Sequence, residues 1–464
     1  MDFSSRKRGF LDNAEKMAAT RSEWIKRNSA YYEDDYRYMR YLVAPNSRVL
    51  DLGCGTGELL AALEPSYGVG VDFSSSMIAE ARKRHPNLHF VEGDAERDDA
   101  FSHMEGTFDY IIVSDTVGMY EDVEGALRLL HRLCSPDTRI IIAYYSPTWE
   151  PLLNLGTKLG VRMPQPRMNH IGRTDFLNIL DLAEFEPIRL EQRQLIPFHL
   201  LGFGRFINRY IAPLPILRKM CLRTYVVARS RNARRDDMPS TSIVIPCRNE
   251  HGNIERAIRE LPRFGGHQEI VFVEGNSKDG TYEECLRVQE AFKDDWTIKV
   301  FKQEGRGKGD AVRKGFANST GDILMILDAD LTVPPRELEK FYYAIASGKG
   351  EFVNGTRLVY PMENEAMRPL NFIANRFFAA IFSYLLNQRF TDTLCGTKVL
   401  RRDAYDRIVA NRSYFGNFDP FGDFDLIFGA AKQSLRIVEV PVHYKARTYG
   451  ETQISRFRDG WLLL

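Results

Sequence analysis

Residues 48–60, RVLDLGCGTGELL, pass from an apolar run through three closely spaced glycines into a helix-forming sequence. That order predicts a buried strand, a sharp turn and a helix start, because glycine lets the backbone turn tightly and admits a ligand close to the main chain. Working outward, GVGVDF (68–73), HFVEGD (89–94), FDYIIVSD (108–115) and RIIIAYY (139–145) read as further strands. Helices are expected over Ser74–Arg84 and Val123–Leu133, and a polar, aromatic-rich helical lead over 10–43. Strands alternating with helices require a mostly parallel sheet covered on both faces.

Residues 195–235 change character, from LIPFHLLGFGRFINRYIAPLPILRKM to ARSRNARRDD. Charge and proline without apolar periodicity set a domain boundary at about Arg231–Pro239. We therefore expect a first domain over 1–230 that includes the helical lead and an interdomain segment 195–230, a linker over 231–239, and a second domain over 240–464. A second alternating series opens at once: TSIVIPCRNE (241–250), EIVFVEGNS (269–277), TIKVFKQ (297–303), DILMILDAD (322–330) and EFVNGTR (351–357). No internal repeat links the halves.

With 464 residues, 44% apolar and 27% charged, the chain has a globular composition and needs more than one core. A net charge of +1 argues against a nucleic-acid partner and against a global field drawn to anionic membranes, and leaves room only for local basic patches. The six cysteines are scattered without a CxxC pair, which points to a reducing, cytoplasmic compartment and no structural zinc. The N-terminus lacks the apolar core of a secretory signal. A membrane span needs about 20 mostly apolar residues, and the longest such run, Leu370 to Leu386, is broken by Asn371, Asn375 and Arg376. Any membrane contact is expected to be peripheral, on the cytoplasmic face. The segment 195–224, the helix around Arg376, and the final residues with Arg456, Arg458 and Trp461 mix aromatic, apolar and basic residues as interfacial segments do.

In the first domain Gly53, Gly55 and Gly57 form the turn, Asp72 ends the next strand and Asp94 the third. A carboxylate at Asp72 can accept both hydroxyls of a ribose, and one at Asp94 can accept an adenine amino group. This run resembles the Rossmann-like class I methyltransferases that use S-adenosylmethionine, over about residues 35–145. The resemblance implies cofactor contacts from Asp51, Gly53, Gly55, Gly57, Asp72, Phe73, Met77, Asp94, Ala95 and Ser114. It leaves the methyl acceptor open; Asp115, His131 and His170 are candidate bases for an acceptor hydroxyl. The alternative is that this half is a non-catalytic docking module.

In the second domain Pro246, Arg248, Asn249 and Glu250 end the first strand, and Glu274, Asn276, Ser277 and Asp279 follow the second. GRGKGDAVRKGF (305–316) adds glycines together with Arg306 and Lys308, which offer positive charge to a diphosphate. ILMILDADLTVPP (323–335) then delivers Asp328 and Asp330 two residues apart at a strand end. Hard carboxylate oxygens suit Mg²⁺ or Mn²⁺, ions that also bind substrate phosphates. In this order the motifs resemble the family-2 glycosyltransferases of GT-A fold, with a DxD metal site and a nucleotide-sugar donor. The usual Asp of the second motif is Glu274 here, and Thr332 stands where a third metal ligand is expected.

FVNGTR (352–357), DTLCGTKVLRR (392–402) and VPVHYKARTYGETQIS (440–455) are similar to segments of polyprenyl-phosphate sugar synthases such as dolichyl-phosphate mannose synthase. That resemblance implies that Arg357 and Arg447 face the acceptor phosphate or the sugar diphosphate. It makes Arg368, Asn375 and Arg376 weaker acceptor contacts. The expected activity is inverting, metal-dependent transfer of a sugar from GDP-mannose or a UDP-sugar to polyprenyl phosphate, beside methyl transfer in the same glycan pathway. A competing reading takes FGDFDLIF (421–428), in which Asp423 or Asp425 would be the base for a sugar hydroxyl acceptor.

Overall fold

The computed structural model describes residues 3–235, 238–361, 369–411 and 422–450. The chain divides into two compact units, Met1–Arg234 and Arg235–Leu464. In the first, the helical lead forms α1 (Ser5–Met17), α2 (Arg21–Arg27) and α3 (Ser29–Leu42). α1 starts at Ser4, whose hydroxyl accepts the Lys7 N–H and so satisfies one of the open donors of the first turn. Then follow β1 (Arg48–Leu52), α4 (Glu58–Ala62), β2 (Tyr67–Asp72), α5 (Ser75–Arg84), β3 (His89–Glu92) and β4 (Phe108–Ser114). The unit continues through α6 (Val123–Leu129), β5 (Cys134–Tyr145), α7 (Glu150–Lys158), α8 (Arg173–Leu182) and β6 (Phe185–Arg193). Two one-turn helices, α9 (Phe203–Phe206) and α10 (Pro215–Arg218), precede β7 (Arg223–Ser230).

The sheet order is β3-β2-β1-β4-β5-β7-β6. The first five strands are parallel, and β7 runs antiparallel to both its neighbours. Each face carries its own core. On β7, Val226 and Ala228 enter the core of one face, Tyr225 and Val227 that of the other. β7 lies in the stretch whose composition suggested a change of character, yet it is an interior strand. Arg223 and Arg229 at its ends mask the apolar alternation. The helix expected over Val123–Leu133 ends at Leu129 and continues to Leu133 as a 3-10 turn.

The second unit runs β8 (Thr241–Cys247), α11 (His251–Arg259), β9 (Gln268–Glu274), α12 (Thr281–Ala291), β10 (Thr297–Lys302), α13 (Lys308–Ala317) and β11 (Ile323–Ile326). It continues with α14 (Leu338–Ala346), β12 (Phe352–Thr356), α15 (Pro369–Leu386), β13 (Lys398–Arg401), α16 (Arg402–Ala410), α17 (Asp423–Lys432) and β14 (Ile437–Pro441). The sheet order is β10-β9-β8-β11-β13-β12-β14. β8 to β11 are parallel, and β13 is antiparallel to β11 and β12. The two-residue period of a strand divides its core. Ile243, Ile245, Ile270, Phe272 and Met325 pack on one face, and Val244, Val271, Val273, Leu324 and Ile326 on the other.

In both units the loops with the quoted motifs leave the carboxyl ends of parallel strands, where open α/β sheets hold ligands. All six cysteines are buried and unpaired. Among the described residues no helix is long and apolar enough to cross a membrane.

Candidate functional site

The glycine turn after β1 borders a cavity of about 150 Å³ in the first unit, lined also by Asp51, Asp72, Phe73, Met77, Asp94, Ala95 and Ser114. Gly53, Gly55 and Gly57 all have positive φ, so the turn depends on glycine. Of these three, Gly57 precedes α4 and does not itself line the cavity. The Asp72 carboxylate accepts the Gly55 N–H at 2.9 Å and the Ser74 N–H at 3.0 Å, which fixes the turn against the end of β2. Burial pushes its pKa upward against those two hydrogen bonds. Burial, then the neighbouring Asp72, raises the Asp51 pKa to about 7.

The helical lead closes this cavity with residues that sequence reasoning missed. Lys7 of α1 is paired with Asp94 at 2.5 Å and also with Glu96. Arg21 of α2 reaches the turn: a Cβ on Gly55 would stand 2.8 Å from its Nε, an atom shielded from solvent and without a hydrogen-bond partner among the described residues. An unsatisfied guanidinium donor, a glycine cradle and buried acids at the ends of β1 and β2 fit an adenosyl amino acid, which presents a carboxylate, an ammonium group and ribose hydroxyls. No local pattern signals Lys7 or Arg21, because their partners lie tens of residues away.

Of the three candidate bases, the structure brings Asp115 to this cavity. Asp115 follows β4 in a left-handed conformation and lines both this cavity and a smaller adjoining one with Tyr145. Its carboxylate accepts the Tyr31 hydroxyl at 2.9 Å and pairs with Arg223 at 3.1 Å. Arg223, fully buried, also pairs with Asp35 at 3.0 Å and donates to the Ser114 hydroxyl. His170 lines the smaller cavity. His131 lies elsewhere, bonded to Ser230 and the Ala183 carbonyl and stacked on Phe185.

The raised pKa of Asp51 has a measurable consequence. A carboxyl whose folded pKa exceeds its unfolded value contributes most to stability at low pH and loses that contribution as pH rises through about 7. A cationic ligand binds its ionised form. Calorimetry should therefore show affinity for S-adenosylmethionine rising with pH, by at most about tenfold per unit, and levelling off above neutrality. Asp51→Asn should flatten the profile. An unchanged slope in that variant would assign the titration to another group.

In the second unit Asp328 and Asp330 follow β11, and each already faces a cation. Lys308 at the start of α13 pairs with Asp328 at 2.5 Å. Arg447 bridges Asp330 at 2.7 Å and Glu250 at 3.1 Å. Burial would raise the Asp328 pKa, but Lys308, with Lys398 and Arg357 beyond it, outweighs burial and lowers it. Burial pushes Glu250 up to about 7 against the pull of Arg447. A Cβ at Gly396 would displace the Asp328 carboxylate and the Lys308 ammonium group from their present contact. Thr332 donates its hydroxyl to Asp330 at 2.8 Å.

The loops after β8 and β9 hold each other. Asn249 donates its N–H to the Ser277 hydroxyl and accepts the Lys278 N–H. Asn249 and Asn276 both have positive φ. Glu274 is buried and accepts the Ser277 N–H. Asp279 caps the start of α12 through Thr281 and accepts the Tyr449 hydroxyl. Pro246 ends β8 half-buried, while Arg248 and Arg306 are exposed.

Arg357 is placed differently from a free phosphate contact. Its guanidinium makes a two-pronged pair with the buried Asp392 at 2.7 and 2.9 Å and lies over the Tyr444 ring. Asn375 is also buried, donating to Asp392 and accepting from Thr393, whereas Arg376 is exposed over Phe372. Asp425 sits half-buried on α17. Arg368, the side chain of Asp423, Arg456, Arg458 and Trp461 lie outside the described residues. Among the described residues no group of three His, Cys, Asp or Glu side chains is arranged to hold a metal. Two carboxylates flanked by a hydroxyl nevertheless form a hard donor set suited to Mg²⁺ or Mn²⁺.

Each of the two units is matched by a family model. A methyltransferase domain matches residues 16–190, and glycosyl transferase family 2 matches residues 242–409. The chain joins a methyltransferase domain to a family-2 glycosyltransferase domain. Their folds are the class I methyltransferase and GT-A folds that the sequence led us to expect.

The glycosyltransferase domain is similar to the low-salt glycan biosynthesis hexosyltransferase Agl6 of Haloferax volcanii, 27% identical over 50% of this chain and 53% of that protein. It is also similar to the dolichyl-phosphate beta-glucosyltransferase of Saccharomyces cerevisiae, 28% identical over 44% of this chain and 66% of that one. The methyltransferase domain is similar to a demethylmenaquinone methyltransferase of Beutenbergia cavernae, 38% identical over 23% of this chain and 45% of that one. The chain thus spans about half to two thirds of the length of these relatives. The dolichyl-phosphate relative is named for glucosyl rather than mannosyl transfer.

Proposed function

We propose that the glycosyltransferase domain transfers a hexose from GDP-mannose or a UDP-sugar to a polyprenyl, dolichyl-type phosphate with inversion. We further propose that the methyltransferase domain methylates a component of the same glycan pathway. The observation that carries the first reading is the acidic pair Asp328 and Asp330 faced by Lys308 and Arg447. A nucleoside diphosphate leaving group needs positive charge around it, and these two side chains supply it from opposite ends of the pair. A divalent cation held by Asp328 and Asp330 would neutralise the developing diphosphate charge. Arg248 and Arg306 extend the basic lining, and Asn249, Glu250, Glu274, Asn276, Ser277 and Asp279 form the rigid loops against which a nucleoside can be oriented.

A lipid phosphate is an anionic nucleophile and needs no strong base, so the acceptor side requires orientation rather than proton transfer. Arg357, held by Asp392, supplies a fixed guanidinium, and Arg376 an exposed one. A sugar hydroxyl is the second reading, and one contact favours it. Gly309 meets Gly422 backbone to backbone, which brings the start of α17, with Asp423 and Asp425, against the Lys308 turn. For methyl transfer to a hydroxyl, Asp115 is the group of this chain set to take the proton.

The deciding experiment is sugar transfer from a panel of UDP- and GDP-sugars to a short polyprenyl phosphate in detergent, with and without Mn²⁺. We expect metal-dependent lipid-linked product. Donor binding without such product would move the acceptor to a hydroxyl and make Asp423→Asn and Asp425→Asn the next variants.

A further inference from the structure

The methyltransferase unit carries an apolar surface that its own fold leaves uncovered. Between β6 and β7 the chain exposes Leu201, Phe203, Phe206, Tyr210, Ile216 and Met220, each more than half accessible, with Leu201 wholly so. Leu200 and Leu201 both adopt left-handed backbone conformations, which bulky residues rarely take. A strained turn that points a leucine into water has no stabilising role in the isolated unit.

The charge of this stretch is equally one-sided. No Asp or Glu occurs between Glu191 and Asp236, whereas Arg205, Arg209, Arg218 and Lys219 fall among the exposed apolar residues. Arg205 reaches Glu33 of α3 at 3.3 Å, a solvent-exposed pair, and Arg209 and Lys219 are exposed. Apolar and aromatic side chains interleaved with cations, on a stretch that carries no acid of its own and meets Glu33 only through Arg205, are complementary to the headgroup region of an anionic bilayer.

The surface continues onto α7 and its C-cap, where Leu152, Leu155 and the capping Leu159 are all exposed. The Trp149 indole N–H donates to the Met220 carbonyl at 2.7 Å and ties the two segments together. Both segments adjoin the cofactor cavity. Residues Met163, Gln165 and Pro166, just after α7, line it. The loop before α9 is bonded to α3 through His199 and Ser29, and Tyr32 and Tyr36 of that helix line the cavity too.

We propose that this face docks the methyltransferase unit on an anionic membrane, so that its cavity takes a methyl acceptor anchored in the bilayer. The proposal deepens the lipid-linked glycan reading, and its test is separate from sugar transfer. The full chain would be sedimented with vesicles of phosphatidylcholine alone and of phosphatidylcholine mixed equally with phosphatidylglycerol. We expect binding to the mixed vesicles that weakens with salt. The triple variant Leu201→Ser, Phe203→Ser, Ile216→Ser should lose about a hundredfold in vesicle affinity, and calorimetric binding of S-adenosylmethionine should be unchanged, since none of the three lines the cavity. A wild-type chain that ignores both vesicles overturns the proposal. So does a triple variant that binds as wild type, which would place membrane contact in the other unit. Sugar transfer to polyprenyl phosphate in detergent reads the glycosyltransferase assignment independently of either result.

Discussion

Asp330→Asn is expected to lower sugar transfer by about a thousandfold while leaving the fold intact. In the structure Asp330 receives Arg447 at 2.7 Å and the Thr332 hydroxyl, and Asp328 receives Lys308. Removing one carboxylate charge leaves the cations but removes one of the two anionic ligands that would hold a divalent ion. Diphosphate binding should persist, since Lys308 and Arg447 remain, so the loss should fall on kcat rather than KM. Circular dichroism would report the fold, and transfer of radiolabelled sugar the rate. Transfer at the wild-type rate would mean that the acidic pair is only a strand-end turn, and the assignment of the site would fail with it.

The second large effect concerns the other domain. Asp72→Ala should weaken S-adenosylmethionine binding by at least about a hundredfold, because two functions are lost together. The carboxylate that would accept ribose hydroxyls disappears, and so do the bonds that pin the Gly55 and Ser74 N–H groups. Calorimetry with the variant should give no measurable heat, while sugar transfer by the acidic pair of the other unit is unaltered. Wild-type protein that itself gives no heat would favour the docking-module reading of the methyltransferase half. Asp72→Ala binding like wild type would show that the ligand sits elsewhere in the cavity.

The positions at which the structure departs from a residue-by-residue expectation share a cause. Arg357 is a half-buried partner of buried Asp392, thirty-five residues on, and Asn375 completes that pair. Asp94 faces Lys7 from the opposite end of the domain's first hundred residues. Arg223, the most deeply buried charge beside the cavity, is matched by Asp35 and Asp115. A buried charge is tolerated only beside its counter-charge, and nothing in a local window indicates where that counter-charge will come from.

By itself the sequence determined strands β1–β5 and β8–β12, the glycine turns and the acids that end β1, β2 and β11. Those features depend on two-residue alternation and on backbone freedom at single glycines, both readable over a few residues. Tertiary structure alone decided which cations meet those acids, that β6, β7, β13 and β14 join the sheets, and that the apolar stretch after β6 stays in solvent. Burial is a property of what packs against a residue, and an exposed leucine is written with the same letter as a buried one.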